Sequence, residues 1–219
     1  MIVPGSANPL LMGVSTGYNL TRSLRLRGSA SAYLSRTPAG SPTSSTTWTF
    51  SAWVKRGSLG TGPFPLLNSY TDTSNTSVID FSSDSIRVLN LTSATGQQGI
   101  VTNAVYRDPS AWYHIVVSST ASSTPLLYVN GVQVTSFSSS SSVTGSWKFG
   151  STTAQWIGRE QFGASNNYFD GEITETYYID GQALTPSSFG ASNAQTGVWQ
   201  PKAYTGTYGT NGFYLPFTD

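Results

Sequence analysis

The sequence predicts an all-β sandwich, and three observations carry that prediction. Short apolar stretches recur along the whole chain between clusters of Gly, Pro, Asn and Ser, which is the spacing of strands and turns rather than of βαβ units. No window sustains the 3.6-residue apolar repeat of an amphipathic helix. In residues 48–55, Trp48, Phe50, Ala52 and Val54 share one face while Thr49 and Ser51 lie opposite, so one side of that strand faces a core.

In chain order, residues 1–21 are rich in Gly, Pro and Asn around an apolar Leu10-Leu11-Met12. That is the composition of an arm that docks on another surface, and Leu10, Leu11 and Met12 are its candidate docking residues. Strands are predicted at 24–26, 32–34, 78–81, 86–91, 155–158 and 171–179, short runs carrying apolar residues between turn formers. Residues 112–117 are apolar on both faces, as in a central strand covered on both sides. Asn130-Gly131 between 126–129 and 132–134 tolerates the positive φ of a type I′ turn and predicts a hairpin. Thr185-Pro186 with Gly190 predicts one surface helical turn. The serine run 138–142 and the Ser/Thr/Pro-rich 37–47 read as loops. Residues 191–219, rich in Tyr and Gly, read as an extension laid on the body.

Composition excludes several functions. The 219 residues contain no Cys and a single His, which removes disulfides, thiolate nucleophiles and ordinary zinc sites together. Charged residues make up 10% of the chain, against about 25% in ordinary domains, yet 13% are aromatic, so there is apolar surface to bury and the chain folds. Eleven basic against ten acidic residues leave a formal charge of +1, too little to neutralise a phosphate backbone, so nucleic acid is not an expected partner. No stretch approaches the roughly 18 apolar residues of a membrane span, and Met1 to Gly5 lacks the basic start of a secretory signal, so no membrane insertion is expected.

Five pieces in order resemble the laminin-G-like family. They are Ser23-Leu24-Arg25-Leu26-Arg27-Gly28 with Ala32-Tyr33-Leu34; Thr49-Phe50-Ser51-Ala52-Trp53-Val54-Lys55; Trp112-Tyr113-His114-Ile115-Val116-Val117; Leu127-Tyr128-Val129-Asn130-Gly131; and Ile157-Gly158-Arg159 with Phe169-Asp170-Gly171-Glu172-Ile173. The resemblance covers 22–190 and implies a two-sheet antiparallel jelly-roll sandwich of the concanavalin A-like type. Residues 179–186, 197–202 and 208–215 are similar to the tail of such modules in structural proteins of tailed phages. That similarity implies a non-catalytic virion protein on the outer surface of a capsid or tail, used for decoration or as a fibre module for host attachment. Its implied partners are other virion proteins or copies of itself in a homo-oligomer, and a host-surface glycan. The alternatives are a secreted carbohydrate-binding module or adhesin and, third, a polysaccharide-cleaving hydrolase.

Jelly-roll hydrolases carry two carboxylates at i and i+4 on one strand, whereas Glu172 and Glu175 are three apart and belong on opposite faces unless a bulge intervenes. His114 falls in a predicted central strand and reads as a core histidine rather than a catalytic base. Many laminin-G-like domains hold Ca²⁺, so the resemblance makes calcium a candidate ligand with no other cofactor expected; Asp72, Asp80, Asp84, Asp170 and Asp180 are the oxygen donors, scattered along the chain. Loops of Tyr, Asn and Ser with a few large aromatics make adaptable contact surfaces, so Trp147, Phe162, Asn166, Asn167 and Tyr168 are the candidate ligand-binding residues.

Overall fold

The computed structural model describes residue 18 and residues 20–217. Leu10, Leu11 and Met12 lie outside the described residues. Two seven-stranded antiparallel sheets enclose one apolar core. The first runs Leu24–Leu26, Gly171–Asp180, Trp48–Arg56, Trp112–Ser119, Leu126–Val129, Val132–Gln133, and Phe213–Leu215 pairs with the far half of Gly171–Asp180. The second runs Phe137–Ser140, Gly96–Thr102, Ser85–Thr92, Asn75–Ser82, Phe64–Asp72, Gln155–Ile157, Leu34–Arg36. The jelly-roll class expected from the sequence is the one observed. Among the described residues no helix is long and apolar enough to cross a membrane.

Period-2 alternation builds the core as the sequence predicts. Phe50, Ala52 and Val54 point inward with Ile115, Val117 and Ile173 beside them, and meet Ile79, Phe81, Ile86, Val88 and Ile100 of the second sheet. The hairpin at Asn130-Gly131 forms with φ of +50° and +80°, the left-handed pair that a type I′ turn requires.

The serine run is a correction. Phe137–Ser140 is an edge strand on Gly96–Thr102 rather than a loop, because edge pairing uses backbone groups and asks nothing apolar of the outward side chains.

The outer face of the first sheet is covered in part. Val116, Tyr177, Ile179 and Phe189 form a second apolar cluster, closed over by Leu184, Tyr204, Tyr208 and Tyr214 from the C-terminal segment. The predicted helical turn is the 3₁₀ turn Pro186–Ser188, and it does not lie free on the surface: it plugs the buried Phe189 into this cluster.

His114 belongs to that covered face. Trp199 Nε1–H donates to Nδ1 at 2.9 Å, which leaves the ring proton on Nε2 to donate to Ser51 Oγ at 2.9 Å. The imidazole lies between the indoles of Trp53, at 4.8 Å, and Trp199, at 6.0 Å. Burial lowers its pKa from 6.5 to about 3. The unfolded chain therefore takes up a proton below its own value while the folded chain does not. The contribution to stability is complete above the unfolded pKa and falls as pH drops towards the folded one, by about 2 kcal/mol on reaching about pH 5. Urea unfolding of the protein and of a His114→Gln variant at the two pH values checks this. The variant is expected to show the flatter profile, and parallel profiles would rule His114 out as the source.

One irregularity bears on function. The register of Gly171–Asp180 against Trp48–Arg56 slips between Thr174 and Tyr177, so that Glu175 and Thr176 together oppose Ala52. Glu175 takes φ +47° at this bulge. The expectation that Glu172 and Glu175 lie on opposite faces is overturned, because the extra residue restores both to the outer face. Glu175 is not thereby freed: Oε2 accepts from the hydroxyls of Tyr18 at 2.8 Å and Tyr177 at 2.7 Å, and Oε1 accepts from Tyr214 at 2.7 Å.

Candidate functional site

Four of the five candidate ligand residues lie on one hairpin over the outer face of the second sheet. A hairpin of Arg159–Phe162 and Ser165–Tyr168 lies across it, turning at Gly163 with φ +61°. The hairpin is pinned to the sheet by Gln161 N–H on Asn68 Oδ1 at 3.1 Å and Gly163 N–H on Tyr70 Oη at 3.2 Å. Alternation then sorts its side chains. Glu160, Phe162, Ser165 and Asn167 face a groove of about 290 Å³ on the sheet, while Arg159, Asn166 and Tyr168 face away.

The structure thus brings Phe162 and Asn167 together and sets Asn166 and Tyr168 apart. Asn166 Oδ1 accepts from Arg159 at 2.8 Å, and the Tyr168 ring packs near Tyr33 at 6.2 Å. Trp147 is a correction: it is 2% exposed, packed edge-on against Trp48 at 4.9 Å with Nε1–H donating to Ser119 Oγ at 3.0 Å. A loop residue by position, it fills the sandwich from one end.

Val78, Leu89 and Leu91 form the apolar floor of the groove, Gln97 lies at its rim, and Phe162, 44% exposed, overhangs it. Sequence reasoning missed these floor residues. Their signal is present in Ser85–Thr92, where Leu89 and Leu91 are apolar on the face opposite Ile86 and Val88.

A charged trio closes one end of the groove. Arg87 grips the fully buried Asp80 with both Nε and Nη2, and Glu160 approaches Arg87 at 3.5 Å while accepting from Asn167 Nδ2 at 3.1 Å. Burial and then the charge of Asp80 push the Glu160 carboxyl up. Burial opposes the charge on Arg87, but the Asp80 carboxylate outweighs it and holds the guanidinium above its usual value. Two neighbouring carboxylates that burial pushes up resemble an acid–base pair. Here the guanidinium stands between them and Asp80 has no exposed surface through which to reach a substrate.

The five aspartates considered for calcium do not come together. Asp80 holds Arg87, Asp84 holds Arg56 and Arg107, Asp170 holds Arg25 and Ser58, and Asp72 and Asp180 accept from nearby backbone N–H groups. Among the described residues no group of three or more His, Cys, Asp or Glu is placed to hold a metal ion.

Residues 27–189 match the model of a family described as the concanavalin A-like lectin/glucanases superfamily. The chain belongs to that superfamily. No curated protein matches the sequence of this lectin/glucanase-superfamily domain. Among solved structures it is similar to the binding domain of botulinum neurotoxin DC in complex with SialylT, at 12% identity and a TM-score of 0.50, over 71% of this chain and 37% of that one. It is also similar to domain 4 of AbnA, a GH43 extracellular arabinanase of Geobacillus stearothermophilus in complex with arabinotriose. That match has 20% identity and a TM-score of 0.47, over 66% of this chain and 65% of that one. The lectin/glucanase-superfamily domain thus spans less than two thirds of either chain, and at these identities the likeness concerns the fold.

Proposed function

We propose that this domain binds glycan without cleaving it, and serves as an attachment or display module on the outer surface of a bacteriophage particle. The observation that carries the glycan reading is the groove: an exposed Phe162 ring over an apolar strip, rimmed by Gln97, Ser165 and Asn167. Sugars have that dual character, apolar C–H faces with hydroxyls at the edge, and aromatic faces with short polar groups suit them. The neutral surface chemistry of the chain agrees, since little of such binding depends on charge that salt would screen.

The virion reading is supported by the three segments that are similar to phage tail modules. Residues 179–186 and 208–215 are bonded to each other, and residues 197–202 are bonded to the body of the sandwich. Asp180 accepts from the backbone of Thr43, Ser44 and Asn211, Asp180 N–H donates to Tyr208 O, and Trp199 bonds His114. On this reading the partners are other virion proteins or further copies of the chain, and Leu10, Leu11 and Met12 supply the anchor. Removal of residues 1–17 then leaves a folded domain that no longer enters particles, whereas normal incorporation would refute the anchor. The cut is set before Tyr18 because that residue is bonded to the body.

Glycan-array screening followed by calorimetry tests the groove. A Phe162→Ala variant is expected to lose about tenfold in affinity, roughly 1.4 kcal/mol, with unchanged unfolding. Full affinity in that variant would move the site elsewhere. Release of new reducing ends from a polysaccharide, abolished by Glu172→Gln or Glu175→Gln, would replace binding with hydrolysis.

A further inference from the structure

A second concave site lies on the opposite side of the molecule. The C-terminal segment covers only part of the outer face of the first sheet. Beyond it a cleft of about 390 Å³ remains, lined among others by Arg22, Ser23, Trp53, Trp112, Thr174 and Gln200. That volume falls within the range of roughly 300–1,000 Å³ typical of ligand sites.

Both walls are fixed to the sheet by side chains. Thr174 Oγ1–H donates to Arg22 O at 2.8 Å, which holds the N-terminal wall. The other wall, Trp199–Pro201, is held by Trp199 on His114 at 2.9 Å. The Trp53 ring is set by stacking on the same imidazole at 4.8 Å. The ring proton of His114 is spent on Ser51, so the order of this ladder is built in rather than induced.

Trp53 is 8% exposed and its Nε1–H meets no acceptor among the described residues. A buried donor left unsatisfied costs about 1–3 kcal/mol. The indole of Trp48 is in the same condition within the core, whereas Trp53 is one of the residues that line the open cleft. The lining also includes the Ser23 hydroxyl, the Gln200 amide, Arg22 and the lone pairs of Thr174 Oγ1, whose proton is on Arg22 O, and among the described residues it includes no carboxylate. That chemistry takes ligands rich in acceptor oxygens with flat apolar faces, and disfavours cations.

We propose that this cleft is a second oligosaccharide subsite, for neutral or acidic sugars, so that a single chain engages two glycan strands from opposite faces. The proposal rests on the glycan-binding reading of the chain but on none of the groove residues. The two sites are separated by the thickness of the sandwich, with about 10 Å between the sheets alone, so one saccharide chain lying along one face does not fill both.

The test is an NMR titration of the full chain with arabinotriose as a neutral probe and sialyllactose as an acidic one, each to millimolar excess. At least one probe is expected to move the indole N–H signals of Trp53 and Trp112, with the hairpin signals around Phe162 moving independently. Trp112→Ala and, as a milder change, Gln200→Ala should weaken the Trp53 response at least tenfold and leave the hairpin response intact. Phe162→Ala should do the reverse. Hairpin shifts with silent indoles would overturn the second subsite and leave the groove standing. Indole shifts with a silent hairpin would support the cleft and sink the groove, and silence at both would overturn both.

Discussion

Trp147→Ala is expected to lower the free energy of unfolding by about 3–5 kcal/mol, the cost of emptying a large core site. The ring is packed edge-on to Trp48 at 4.9 Å and stacked with Phe149 at 5.7 Å, and its N–H and backbone N–H are both bonded, to Ser119 and Ser45. Removing it leaves a cavity between the sheets and strips Ser119 of its donor. Urea denaturation with an unchanged slope is the measurement. A variant as stable as the parent but weaker on glycan would return Trp147 to the contact surface where the sequence suggested it.

The second large effect concerns a buried cation. Arg56 has no exposed side-chain surface; its guanidinium lies 4.5 Å from the Phe81 ring centroid and 5.1 Å from that of Phe64, donates to Tyr106 O at 2.6 Å and pairs with Asp84 at 2.9 Å. Asp84→Ala leaves that charge buried with a single carbonyl and two ring faces, and a loss of about 3–5 kcal/mol is expected. Arg56→Met is expected to cost about 1–2 kcal/mol, since it substitutes an apolar side chain of similar length. Asp84 then keeps Arg107 at 2.7 Å and the Gly60 N–H at 2.8 Å. Thermal and urea unfolding of the two single variants measure the asymmetry. Equal losses would remove the asymmetry, and a larger one for Arg56→Met would show that the carboxylate depends on the pair more than the guanidinium does.

The same contrast between local and distant causes decides what was legible in the sequence. Trp48–Arg56 and the Asn130-Gly131 hairpin announced themselves because alternation and turn chemistry are properties of adjacent residues. Phe64–Asp72 and Gly96–Thr102 did not. One carries Pro65 near its start and the other Gly96-Gln97-Gln98-Gly99, poor strand formers whose pairing is imposed by Asn75–Ser82 and Ser85–Thr92 beside them. The groove was half legible: an aromatic and an amide in a Gly/Asn loop pointed to Phe162 and Asn167. Which of the hairpin residues face the groove depends on register, and register is fixed by Asn68 and Tyr70, some 93 residues away in sequence. Glu175 was misplaced for a related reason, since a bulge is a property of two strands.

The knot of phenols around that carboxylate also sets how the molecule carries load. Tyr18 and Tyr214 meet each other at 2.9 Å as well as Glu175, so the first and the last described stretches of chain are clasped at one spot on one sheet. Tension applied at residues 18 and 217 is met first by this clasp and by the three rungs of Phe213–Leu215. Until those part, the pull enters the sandwich through a single strand, Gly171–Asp180, which both ends grip.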